Sequence, residues 1–120
     1  MRDQVLNQAL VDLSRASADI EACAVISRDG LMMAAQMPAE LDQDRVGAMS
    51  AAILSLGDRT AAELRRGELD QVLVKGKDGY VLLVSAGEEA VVSVLARPEA
   101  KLGLVFLDVK RAAAAVASVL

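Results

Sequence analysis

The chain has 120 residues, of which 54% are hydrophobic and 25% charged, with a net charge of −4. That length suits a single domain, and so apolar a composition excludes an intrinsically disordered chain. Lys and Arg are scattered, and Tyr80 and Phe106 are the only aromatics; a nucleic-acid binder needs a basic stripe, and a single-strand binder also needs stacking platforms, so neither class is expected.

Residues 3–16 carry Leu6, Ala9, Leu10 and Leu13 at helical spacing, with polar residues between them, which predicts an amphipathic helix. Residues 21–28 form an apolar run without helical period, and Leu31–Met37 forms a second, closed by Pro38. Asp29-Gly30 between two such runs predicts a type I′ hairpin turn. Residues 43–66 read as a long helix, capped by Asp42 or Asp44 and ended by Gly67 as the left-handed residue. Three strands follow at 70–75, 80–86 and 90–96, joined by Gly76-Lys77-Asp78-Gly79 and Gly87-Glu88-Glu89. A last helix over about 101–118 places Leu102, Phe106, Val109, Ala113 and Val116 on one face.

The order is therefore α-β-β-α-β-β-β-α over one domain, 1–120. Strands joined by short turns are antiparallel, so the expectation is an α/β (α+β) sandwich built on a five-stranded antiparallel meander. Val81–Val84 and Ala90–Leu95 are apolar at odd and even positions alike, which predicts helices on both faces of the sheet. No apolar run approaches the roughly 20 residues of a membrane span, and the first residues have no signal-peptide character. The single cysteine, Cys23, lies in an apolar run and is expected as a buried thiol in a reducing, cytoplasmic compartment.

The long helix has the most unusual sequence. From Val46 to Gly57, twelve positions carry no charge, whereas a helix packed on one sheet keeps a charged outer face. With the Met49–Ile53–Leu56 stripe taken as the sheet-facing one, Gly47, Ala48, Ala51, Ala52, Leu54 and Ser55 remain for another surface. One reading is a small-residue face left in water. The preferred one is burial against a second copy, which a two-fold axis makes economical.

Catalytic constellations are missing. There is no histidine and only one cysteine, which removes the commonest general base, the Cys–His pair and the usual zinc clusters. The glycines match neither a Walker A loop nor GxGxxG. Gly76-Lys77 reads as a hairpin turn, and Glu88-Glu89 and Asp42 with Asp44 as turn and cap residues. Arg59, Arg65 and Arg66 read as a solvated helix end; an arginine-finger role is the sharper alternative. The expectation is no enzyme, no cofactor and no metal.

Four segments taken together resemble the Roadblock (dynein light chain-like) family of GTPase-associated domains: Val25-Ile26-Ser27-Arg28-Asp29-Gly30-Leu31, Asp44–Ala52, Gly67–Val74 leading to Gly79-Tyr80, and Ala100–Val105. The resemblance covers nearly the whole length. It implies a profilin-like or longin-like sandwich, with the first and last helices on one face and the long helix on the other. It also implies a homodimer through that helix and the strand near 70–75, which gives Gly47, Ala48, Ala51, Leu54, Ser55, Val72 and Val74 as interface candidates. Members bind small Ras-like GTPases, as activating partners or as scaffolds. Asp58, Arg59, Ala62 and Arg65 are the candidate GTPase contacts. The alternative is a structural adaptor in a polarity, motility or signalling complex; a small-molecule sensor is disfavoured because few aromatic or polar core residues exist to shape a pocket.

Overall fold

The computed structural model describes residues 1–120. Its elements are α1 (Arg2–Ala16), β1 (Ile20–Ser27), β2 (Met32–Gln36), α2 (Gln43–Glu63), β3 (Gln71–Gly76), β4 (Gly79–Ala86), β5 (Ala90–Ala96) and α3 (Leu102–Ala117). All strand pairs are antiparallel, as expected. The sheet is not one continuous meander, however: its order is β2-β1-β5-β4-β3. The β1–β2 hairpin and the β3–β4–β5 meander are separate units, and β1 pairs with β5. With α2 inserted between β2 and β3, the chain crosses the sheet there and leaves β2 and β3 as the two edges.

The two faces have separate cores. Leu6, Leu10 and Leu13 of α1 and Val105, Val109 and Val116 of α3 pack on Cys23, Val25, Leu82, Val84, Val92 and Val94. On the other face Leu54 of α2 meets Ala24, Ile26, Leu83 and Val91. This division explains why β4 and β5 are apolar on both sides. Cys23 is fully buried, its thiol donating to the Leu10 carbonyl at 3.7 Å, and burial raises its pKa.

Local chemistry sets the element boundaries. The Asp42 carboxylate accepts from the N–H groups of Asp44 and Arg45 at 3.0 and 3.2 Å, capping α2. The β1–β2 turn is not type I′, because Gly30 alone has positive φ (96°). The Gly30 N–H donates to the Ser27 carbonyl and the Ser27 N–H to the Leu31 carbonyl. A three-residue loop ending in a left-handed glycine fits that pattern, and one glycine suffices for it. At its far end α2 stops at Glu63, and the left-handed residue that closes it is Arg65 (φ 57°); the expected Gly67 also has positive φ (87°) but lies two positions further on. Arg66 N–H to Ala61 O (2.8 Å) and Arg65 N–H to Ala62 O (3.2 Å) form a Schellman motif.

The N-terminus of α3 has no capping side chain of its own at Lys101. Asp19, in the α1–β1 turn, supplies one: Oδ2 accepts the Lys101 N–H at 3.0 Å and Oδ1 accepts from Arg97 Nε at 2.6 Å. The Lys101 N–H first, and Arg97 second, hold the Asp19 carboxyl below its ordinary value. Because the folded pKa lies below the unfolded one, this contribution is present above about pH 4 and is lost as pH falls through the folded value. Thermal melts of Asp19→Asn are therefore expected to start lower at neutral pH and fall less steeply below about pH 4 than wild type. Parallel curves for the two proteins would refute the role.

Candidate functional site

The orientation of α2 departs in part from the expectation from its sequence: Ile53 of the expected stripe packs with Val46 against the second core, but its companions do not. Gly47, Ser50 and Leu54 are buried against the chain's own sheet, Leu54 at 2% exposure, whereas Met49 and Leu56 point outward at 56% and 66%. The inner face is small at Gly47 because the helix there lies very close to the hairpin: a Cβ on Gly47 would sit 2.3 Å from the Gly30 carbonyl oxygen. Two of the interface candidates, Gly47 and Leu54, are thus inward residues. Ala51 is half-buried beside Gly30, and Val72 packs beneath α2. Ala48, Ser55 and Val74 are exposed, and Ala52, Met49 and Leu56 share the outer face of the helix with Ala48 and Ser55.

This outer face is therefore apolar in its large residues and small elsewhere, with no charge between Val46 and Gly57. Beside it runs the free edge of β3, where Leu73 and Val74 are 43% and 42% exposed. An outward stripe of large apolar side chains next to an unpaired strand edge is the kind of surface that proteins cover.

The C-terminal part of α2 borders a second feature, an open groove of about 940 Å³. Three of the four candidate GTPase contacts, Asp58, Ala62 and Arg65, line it together. Arg59 does not; it extends into solvent, 4.0 Å from Glu63. Glu68, Leu69 and Asp70 form another wall, and Ser85, Gly87 and Glu88 a third. Between the walls lies Arg28, whose guanidinium donates to Asp58 Oδ2 at 3.2 Å and to Ser85 Oγ at 3.0 Å. Asp58 is thus engaged within the chain rather than free.

Arg28 and Ser85 escaped the sequence reading. A meander would place β1 three strands from β4; the β1–β5 pairing instead brings the end of β1 within reach of Ser85. No spacing in the chain signals that closure.

Arg65 holds a strained conformation at the rim of the groove. A non-glycine residue in the left-handed region costs about 1 kcal/mol. Arg65→Gly is expected to raise the stability of the domain by about 1 kcal/mol in denaturant melts while removing a side chain from the groove. A loss of stability would mean that the guanidinium itself holds the turn.

The Roadblock/LC7 domain family profile matches residues 6–96. The Methanocaldococcus jannaschii protein MJ0310 is 38% identical over 109 residues, which is 91% of this chain and 94% of that protein. The gliding protein MglB from Thermus thermophilus superposes with a TM-score of 0.87 at 20% identity, covering 98% of this chain and 90% of that one. Profilin II of Acanthamoeba castellanii shares the fold with a TM-score of 0.65 at 17% identity, over 96% and 95%. The sandwich is thus profilin-like, as the resemblance implied.

Proposed function

The chain belongs to the Roadblock/LC7 domain family, and from that membership we propose that it is a non-catalytic, homodimeric regulator or binding partner of a small Ras-like GTPase. The observation that carries the reading is the outer face of α2, which carries no charge from Val46 to Gly57 and exposes Met49 and Leu56 beside the free β3 edge. Such a helix is stable in water only at the cost of exposing what another surface would bury. The occupant proposed is the same face of a second copy, with the β3 edges alongside.

In this dimer the grooves beside Arg65 remain open to a partner. The GTPase contacts are assigned to Ala62 and Arg65 in the groove and to Arg59 beside it. Any acceleration of hydrolysis would come from ordering the switch segments of the GTPase and positioning its water.

The test is a pull-down from native lysate with tagged protein, run in parallel with a GTP analogue and with GDP. The reading expects a small GTPase retained with the analogue and lost with GDP, because a regulator must bind the two states differently. Equal recovery of one complex under both nucleotides would replace it with a structural adaptor.

A further inference from the structure

We propose that Arg28 is the positioning residue of the groove: it sets the width between α2 and the β4 wall, and so governs how the groove receives its partner. The inference rests on the reading of the groove as the GTPase contact.

The geometry supports it bond by bond. Arg28 belongs to the β1–β2 turn, yet its main-chain N–H donates to the Glu89 carbonyl in the β4–β5 turn at 3.0 Å. Its guanidinium reaches Asp58 of α2 with one nitrogen and Ser85 of β4 with the other. Ser85 passes the connection on, its hydroxyl donating to the Leu69 carbonyl at 3.1 Å and its N–H to the Asp70 carbonyl at 2.9 Å. All three walls of the groove are thus tied to one side chain. A guanidinium suits the task because its planar fork offers two fixed donor directions, whereas an ammonium acts as a single point charge. Arg28 is half-buried and its ion pair is partly screened, so its worth lies in geometry more than in stability.

The turn that carries Arg28 also carries Gly30, which abuts Gly47 of α2. The groove and the outer face of α2 are therefore referenced to the same hairpin.

The test measures affinity for the GTPase captured above, loaded with GTP analogue, using Arg28→Gln, Arg28→Lys, Asp58→Asn and the Arg28→Gln/Asp58→Asn double variant. Coupled groups in one network are non-additive. Each Gln or Asn variant should weaken binding by about tenfold, and the double variant by no more than the worse single one. Arg28→Lys keeps the charge near Asp58 and should recover part of the loss. The solution mass should not change in any of them. Should Arg28→Gln fail to fold, Ser85→Ala carries the same test, expected to weaken binding by at least about threefold. Unchanged affinity in the folded variants, or additive losses, would overturn the positioning role alone. A wild-type chain that holds no GTPase overturns the functional reading and this inference with it.

Discussion

Replacing Leu54 with alanine is expected to cost about 2–5 kcal/mol, the range for deleting a buried leucine side chain and leaving a cavity. Leu54 is the one fully buried large side chain that α2 contributes to the second core, where it meets Ala24, Ile26, Leu83 and Val91. Gly47 and Ser50 are too small to fill the space, and Val46 and Ile53 are only partly buried at its margin. Leu56→Ala, two residues on but on the opposite face, should cost under about 0.5 kcal/mol in the isolated chain. Urea titrations at two protein concentrations separate the effects. The Leu54→Ala deficit should be present at both, while any Leu56→Ala deficit should vanish at the lower, because association stabilises only where chains associate. Equal, small losses for both would mean that Leu54 is not the anchor of that face.

Gly47→Ala should also destabilise, against the ordinary preference of helices for alanine. In an exposed helix the change gains about 1 kcal/mol. Here the new Cβ would meet the Gly30 carbonyl oxygen at 2.3 Å and its carbon at 3.2 Å. Both atoms are backbone, and Gly30 itself sits at φ 96° in the turn, so relief requires α2 to lift off the hairpin. The net cost is expected at about 2 kcal/mol. Gly57→Ala provides the contrast: its nearest neighbour would be Leu69 Cδ2 at 2.9 Å, the end of a flexible side chain that can turn aside. That variant should be near neutral or slightly stabilising in the same melts. A stabilising Gly47→Ala would show that the close approach of α2 to the hairpin is not what fixes the helix.

These two residues also mark where sequence reasoning succeeded and where it failed. Element order, hairpins and two-sided burial were legible because apolar runs, Gly-flanked turns and the non-alternating β4 and β5 each have one physical meaning; Asp29-Gly30 marked a hairpin but not its turn type. The charge-free stretch of α2 was legible as a surface to be covered. Which side of α2 faces the sheet was not, since Met49–Ile53–Leu56 and Gly47–Ser50–Leu54 are both spaced for one helix face. Bulk favours the first stripe as core, but close approach to Gly30 turns Met49 and Leu56 outward and leaves only Ile53 of that stripe against the core, and only the tertiary contact reveals that approach. The groove was half legible: Asp58, Ala62 and Arg65 follow from helical spacing, but Arg28 and Ser85 join them through a strand order that short-range signals do not encode. The trans cap by Asp19 is of the same kind, since it joins the α1–β1 turn to a helix more than 80 residues further along the chain.

The most direct test of the central claim is the solution mass of wild type and of Met49→Glu/Leu56→Glu by sedimentation equilibrium. Both substituted residues are exposed on the outer face of α2, so the variant should keep its fold. Wild type is expected at twice the 12.6 kDa chain mass and the folded variant at the chain mass itself, because four like charges would meet across a two-fold contact. A wild type that sediments as a single chain, or a variant that remains a dimer, would contradict the proposal that this face joins two copies.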